Sequence, residues 1–326
     1  TTDRTAPTVY LVGRDDKGTL FAAGMLIRKL YLADDYMRLD ASVRISASPA
    51  YPVRAQQILR TTQCEDGFVD WYNIPEKEQY IRDLVLFGCN GILPKAPEDI
   101  DVFLDRLGLD LIVHVSGRTV LELNEQSDQE IRKKYSDLVG VDDFETHGGD
   151  DRGARVPMKV FPALERVAPL VMEGHSGSKW WYSNQCMDDH ALDYDEYIFG
   201  YIQDNEPTWL YGMIYGPWTK RGIPEIRADL PEPYKVRRFP EICHPRWCQY
   251  PVPKWDHAWV QVWDRNISIY AMPEMMRDIH NATCPGTVGF SPYNHTGSYN
   301  DLNKFVFNAM GWDPAADIED VLYDYA

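Results

Sequence analysis

The segment His147-Gly-Gly-Asp150-Asp151 concentrates more potential chemistry than any other stretch of this chain. Two glycines let the backbone approach a ligand closely or adopt positive φ. The two adjacent carboxyl groups that follow can sit in contrasting environments. One, facing apolar or like-charged surroundings, keeps its proton and can act as a general acid. The other stays ionised and can orient a reacting group or stabilise a developing cation. Hydrolysis of a glycosidic bond needs such a pair. The bland alternative is a Gly-Gly turn followed by an Asp helix cap. A position at the carboxyl end of a barrel strand favours the chemical reading.

Aromatic strand ends form a second group. Trp180, Trp181 and Tyr182 share one strand, so alternate residues face opposite sides. Either Trp180 and Tyr182 face inward, or Trp181 does. Tyr211, Tyr215 and Trp218 end the next strand. Stacking on a sugar ring is their functional reading, and ordinary core packing is the commoner fate of any single ring. The hydroxyls of Tyr215 and Tyr293 could donate to an acetamido oxygen or to a nucleophile.

Arg237 and Arg238 end a strand near Glu241 and His244, where a bidentate clamp would suit a uronic acid. Salt bridges to some of the fifty acidic residues are the simpler expectation. His114, His147 and His244 could meet around a metal, but no HxH or HExxH spacing supports this, so no metal and no cofactor are expected. Ser176 and Ser183 lack a G-x-S-x-G elbow, and Cys89 and Cys186 lack a local motif.

The elements that must position these groups alternate strand, loop and helix. Pro52–Gln56, Gly88–Ile92, Leu109–Val115, Val141–Thr146, Lys179–Ser183, Trp209–Tyr215, Lys235–Phe239 and Thr287–Ser291 read as strands. Glu76–Phe87, Pro97–Leu107, Ser127–Leu138, Phe161–Val171, Tyr194–Ile202, Met272–His280 and Asn300–Met310 read as helices. That repetition predicts an α/β chain folded as a (β/α)8 TIM barrel over residues 51–313. No glycine-rich phosphate loop favours the doubly wound competitor. Residues 1–50 read as a small α/β segment, with strands at Thr8–Val12 and Ser42–Ser46 around a helix over Gly18–Tyr31. Residues 240–270 fit the alternation badly and read as a long loop over the barrel mouth. Residues 314–326 read as the start of a further helix.

Composition narrows the classes. The chain has 326 residues, with 44% apolar and 25% charged, as expected of a packed globular protein. A net charge of −17 argues against nucleic acid and anionic membrane surfaces as partners. No stretch is apolar and long enough for a membrane-spanning helix. Ten Trp and twenty Tyr are unusual and compatible with a glycan ligand. The six cysteines are widely spaced without a CxxC pair, against a structural zinc site or a dense disulfide scaffold. Asn266, Asn281 and Asn294 open glycosylation-type triplets, and the chain begins without a charged, apolar leader. The compartment stays open, with a secreted or periplasmic setting favoured.

Phe144-Glu-Thr-His147-Gly-Gly-Asp-Asp151 resembles the His-x-Gly-Gly-Asp-Glu motif that ends the fourth barrel strand of family 20 β-hexosaminidases. That resemblance implies Asp150 as the group orienting the substrate's own acetamido nucleophile and Asp151 as general acid. Asp151 stands where that family has Glu, one methylene shorter, and His147 lies one position later than the family's His. The adjacent Asp pair is similar to that of family 84 O-GlcNAcase-like hexosaminidases, which use two Asp in these roles. Asp15–Arg28 followed by Ser48–Arg54 resembles the entry into the first barrel strand of hexosaminidases and α-glucuronidases, where an Arg binds the terminal sugar; this implies Arg54. Tyr293–Lys304 with Trp312-Asp-Pro resembles the last strand and helix of related exo-hydrolases, with Asn294 and His295 where those carry Glu.

Together these readings predict an exo-acting glycoside hydrolase, retaining and substrate-assisted on an N-acetylhexosaminide of an oligosaccharide or glycan. Asp150 and Asp151 are the expected catalytic pair, with Arg54, Asn90, His147, Tyr182, Asn184, Tyr215, Trp218, Arg238, Tyr293 and Asn294 as substrate-binding residues. An α-glucuronidase-like enzyme would instead pair carboxylates, drawing on Glu145, Glu241 or Asp301. A sugar-binding barrel without catalysis is the non-enzymatic alternative.

Overall fold

A computed structural model describes residues 8–58, 74–148, 156–185, 194–217, 219, 221–242, 271–292 and 301–326. The chain enters through helix α1 (Asp16–Arg28), whose first turn is capped by the Asp15 carboxylate accepting from Gly18 N at 2.6 Å. A two-stranded antiparallel pair follows, β1 (Tyr31–Leu32) with β2 (Met37–Arg38). The expected strands at Thr8–Val12 and Ser42–Ser46 are irregular backbone instead. Val9, Tyr10 and Val12 are exposed there. Alternation alone does not make a strand; it takes a neighbouring edge whose backbone completes the ladder.

The eight remaining strands are β3 (Val53–Ile58), β4 (Gly91–Pro94), β5 (Asp110–His114), β6 (Val141–His147), β7 (Lys179–Ser183), β8 (Leu210–Tyr215), β9 (Lys235–Arg238) and β10 (Gly289–Phe290). They pair in parallel, each with its sequence neighbour, and close through β10 onto β3. This is a (β/α)8 TIM barrel. Both faces of each strand are covered, so the strands read as short apolar runs. In β5, Leu111 and Val113 pack into the helix-facing core, while Ile112 joins Ala55 and Leu93 in a separate cluster.

The barrel helices include α2 (Ile74–Leu86), α3 (Asp101–Leu107), α4 (Gly117–Asn124), α5 (Asp128–Lys133), α6 (Pro157–Met172), α7 (Tyr194–Asn205) and α8 (Ile223–Asp229). After them come α9 (Pro273–Thr283), α10 (Asp301–Trp312) and α11 (Ile318–Tyr325). In α6, Val160, Phe161, Leu164, Val167, Ala168 and Val171 recur at helical spacing and are buried against the strands. The expected helix over Ser127–Leu138 is shorter, ending at Lys133, and α4 precedes it. Each of the two helices starts at its own cap. Ser116 Oγ accepts from Thr119 N at 3.0 Å, and Ser127 forms a capping box with Glu130. The expected helix over Pro97–Leu107 is likewise a 3-10 turn (Pro97–Asp99) followed by α3. Helix α8 is absent from the sequence expectations; Pro224 in its first turn is its clearest signal.

The segment before the barrel is joined to it by direct contact. Phe21 of α1 meets Trp312 edge-on at 5.2 Å, and Gly24 lies where a Cβ would reach Leu86 Cα at 3.0 Å. Most of residues 240–270, from 243 onward, lies outside the described residues.

Candidate active site at the barrel mouth

Strand alternation decides what the barrel interior contains. On β6, Asp143, Glu145 and His147 share one face, and Phe144 and Thr146 the other. Phe144 stacks on Trp180 at 5.2 Å, and Thr146 Oγ1 accepts from Trp180 Nε1 at 3.1 Å, both in the helix-facing layer. Glu145 instead pairs with Arg237 of β9. Strands β6 and β9 are separated by β7 and β8, so this contact can only cross the lumen.

The lumen therefore holds a polar core. Arg237 bridges Glu145 Oε2 and Asp143 Oδ2, the latter at 3.4 Å, and its guanidinium lies 4.8 Å from the Trp181 ring centroid. Trp181 is thus the inward residue of its strand. A Cβ on Gly212 would lie 2.9 Å from the Trp181 ring, so glycine at that position makes room for it. Above this pair, His147 Nε2 lies 2.9 Å from Glu145 Oε1, and His114 Nδ1 lies 4.0 Å from the same oxygen. The two imidazoles meet edge to face at 4.7 Å.

Burial and charge set the protonation of these groups. Burial by itself would raise the Glu145 carboxyl. The charges of His147 and Arg237 outweigh it and hold the group low, at about 2. Burial raises Asp143, against the pull of Arg237 and Lys179. Glu145 is therefore ionised across the ordinary pH range and cannot be a general acid.

A cavity of about 590 Å³ opens over this cluster. Its wall comes from the carboxyl ends of the strands: Gln57, Leu93, Val113, His114, His147 and Phe239, with Gln185 just beyond β7. Tyr135, Asp137 and Leu138, from the segment leading into β6, close one side, and Lys95 and Glu98 another. Gln185 is 5% exposed and its side-chain Oε1 has no hydrogen-bond partner. A concave pocket with a few convergent polar groups at this end of a barrel is the usual location of an active site.

Of the residues expected from sequence, His147 lines this cavity. Asp150, Asp151, Trp218, Tyr293 and Asn294 lie outside the described residues, as does His244. Arg54 is placed elsewhere. It is buried beside the amino ends of the strands, donating to Gly88 O at 2.7 Å and Tyr51 O at 2.5 Å, between Phe21 and Trp312. Asn90 belongs to the same end, bonding Arg54 N and Pro52 O. Tyr182 faces the helix layer, edge to face with Phe161 at 4.5 Å. Arg238 alternates outward from Arg237 and stacks on Tyr215 at 4.4 Å, so these two are committed to each other. Asn184 is buried just past β7, donating to Asp195 at 2.9 Å. Asp301 is bonded by Tyr80 Oη at 2.7 Å in the helix layer. Sequence reasoning passed over Gln57 and Phe239. The i, i+2 pairing of Glu145 with His147 was the available signal for the buried cluster.

No protein-family model matches the chain, and no curated protein matches it in sequence. Solved structures match it in fold. One is a glycoside hydrolase family 20 β-N-acetylglucosaminidase, with TM-score 0.56 and 10% identity over 94% of this chain and 78% of that one. Another is the family 89 glycoside hydrolase from Clostridium perfringens in complex with PUGNAc, with TM-score 0.57 and 9% identity. That alignment covers 95% of this chain, which spans only 44% of the family 89 chain. The same family 89 enzyme in complex with 2-acetamido-1,2-dideoxynojirmycin matches with TM-score 0.56.

Proposed function

We propose that this protein is a glycoside hydrolase acting at the cavity above His114, Glu145 and His147, with an N-acetylhexosaminide as substrate. The observation that carries the reading is the position of His147. It lines the cavity at the carboxyl end of the fourth barrel strand, and Asp150 and Asp151 follow it within four residues. Two neighbours in fold support the choice of sugar, since one is a β-N-acetylglucosaminidase and the other is bound to a 2-acetamido compound.

In this reading Asp151 protonates the leaving glycosidic oxygen. Asp150 holds and polarises the substrate acetamido group as its carbonyl oxygen attacks the anomeric carbon. Glu145 is buried and held in its ionised form by the charges of His147 and Arg237, so it supplies negative potential beneath the site and takes no part as acid. A neutral carboxyl is required of the acid, which returns that role to the Asp pair. The uronide alternative is less well supported. Arg237 is held by two carboxylates, and Arg238 is stacked on Tyr215.

The test is hydrolysis of aryl glycosides of GlcNAc, GalNAc and glucuronic acid by the wild type, Asp150→Asn and Asp151→Asn. Turnover of an N-acetylhexosaminide lost in both variants, by roughly 100-fold or more, is expected. Turnover of the glucuronide alone would refute the acetamido mechanism. Hydrolysis indifferent to both substitutions would refute the assignment of the pair.

A further inference from the structure

We infer that His114, Glu145 and His147 form a binding site for one divalent transition-metal ion of the zinc type, open to the cavity. His114 Nδ1 or Nε2, a Glu145 oxygen and a His147 ring nitrogen all lie within 4.8 Å of one another. Among the described residues this is the group with metal-ligating composition and spacing. The inference does not depend on the sugar reading.

The geometry is close to what coordination requires. With bonds of about 2.0–2.2 Å, neighbouring ligand atoms around one ion stand roughly 3–3.5 Å apart. His147 Nε2 and Glu145 Oε1 are at 2.9 Å already. His114 Nδ1, at 4.0 Å from that oxygen, must swing inward by less than about 1 Å. Its side chain is a third exposed, at 33%, and lines the cavity.

Charge and second contacts agree. Arg237 takes Glu145 through Oε2, which leaves Oε1 turned toward the imidazoles. Ligating carboxylates are commonly held by such an outer partner. Arg237 is shared between the Glu145 and Asp143 carboxylates, so Glu145 faces the imidazoles with its charge only partly offset. Gln185, buried and with its Oε1 unpartnered among the described residues, lines the same cavity. Two imidazoles and one carboxylate, with no thiolate, suit zinc and similar borderline ions better than calcium or magnesium, which prefer oxygen alone.

The experiment is titration of the chelator-treated full chain with Zn²⁺ by calorimetry, and with Co²⁺ by visible absorption, for the wild type, His114→Ala and His147→Gln. One equivalent per chain is expected, with submicromolar affinity for Zn²⁺ and ligand-field bands for Co²⁺. Each substitution is expected to weaken binding by at least about 100-fold. Absence of one-to-one uptake would overturn the inference. So would uptake of equal affinity in His114→Ala, whose partly exposed position leaves the fold intact even if His147→Gln is poorly folded. Because the readout is binding, a failure here is distinct from a failure of the glycosidase assignment.

Discussion

Glu145 and Arg237 form a fully buried ion pair across the barrel lumen, from strands β6 and β9 that do not touch each other. Arg237 also reaches Asp143 and stacks on Trp181, so one guanidinium satisfies two carboxylates and an indole face. Removing it leaves buried charge without a counterion. Arg237→Met is expected to cost about 3–5 kcal/mol in urea denaturation. Adding Glu145→Gln to that variant is expected to recover part of the loss, since the orphaned charge is then gone. Equal stability of Arg237→Met and wild type would show that the pair is not closed in solution.

Two groups depressed on folding weaken the fold in acid, against Asp142, which burial and the charge of Asp110 raise to about 6. Burial among Tyr51, Phe290 and Phe307 lowers His280 to about 4 from 6.5, with only partial relief from Asn281. A group depressed on folding contributes stability above its unfolded value and loses it as pH falls through its folded value. His280 therefore weakens the fold between pH 6.5 and 4, by about 3 kcal/mol in all. Glu145 follows only as pH falls toward about 2. Over the first interval, the unfolding free energy of the wild type should fall relative to that of His280→Phe by about 3 kcal/mol. An unchanged difference would show that His280 does not titrate this way.

Closure of the barrel depends on Gly289. Its φ is +129°, and a Cβ there would lie 1.8 Å from the Val53 carbonyl oxygen, inside the β10–β3 pairing. Gly289→Ala is expected to unfold the barrel or lower its melting temperature sharply. Gly177→Ala is the control, because φ is +84° there but nothing lies within 4 Å. It should cost only about 1–2 kcal/mol. Similar melting of the two variants would contradict the steric account.

Arg54 is a structural clasp in this arrangement. It ties Gly88 and Tyr51 together and lies between Phe21 and Trp312. Arg54→Met is expected to destabilise by about 2–4 kcal/mol through the carbonyls left behind. The KM for any hydrolysed glycoside should stay as in wild type. A raised KM with unchanged stability would return Arg54 to the substrate.

The repeating strand–helix order, and with it the barrel, is legible in the residue pattern alone. Short apolar runs alternating with 3.6-period segments are local signals, and each of the eight barrel strands overlaps one of them. The same reading shows that the fourth strand is followed by a chemically dense stretch of residues, because residue types are legible without coordinates. Side-chain direction, by contrast, is set by the closed sheet. A one-residue step along a strand moves a side chain from lumen to helix layer. That step puts Trp181 and Arg237 inside and Tyr182 and Arg238 outside. Nor could spacing reveal that His114 meets Glu145 and His147. They belong to neighbouring strands joined by β5–β6 pairing, with His114 in register with Glu145. The surroundings of Arg54 are likewise illegible locally, since its partners Phe21, Gly88 and Trp312 come from segments far apart in the chain. A site assembled across strands has no local pattern, because closure of the sheet, and not the order of residues, brings its members together.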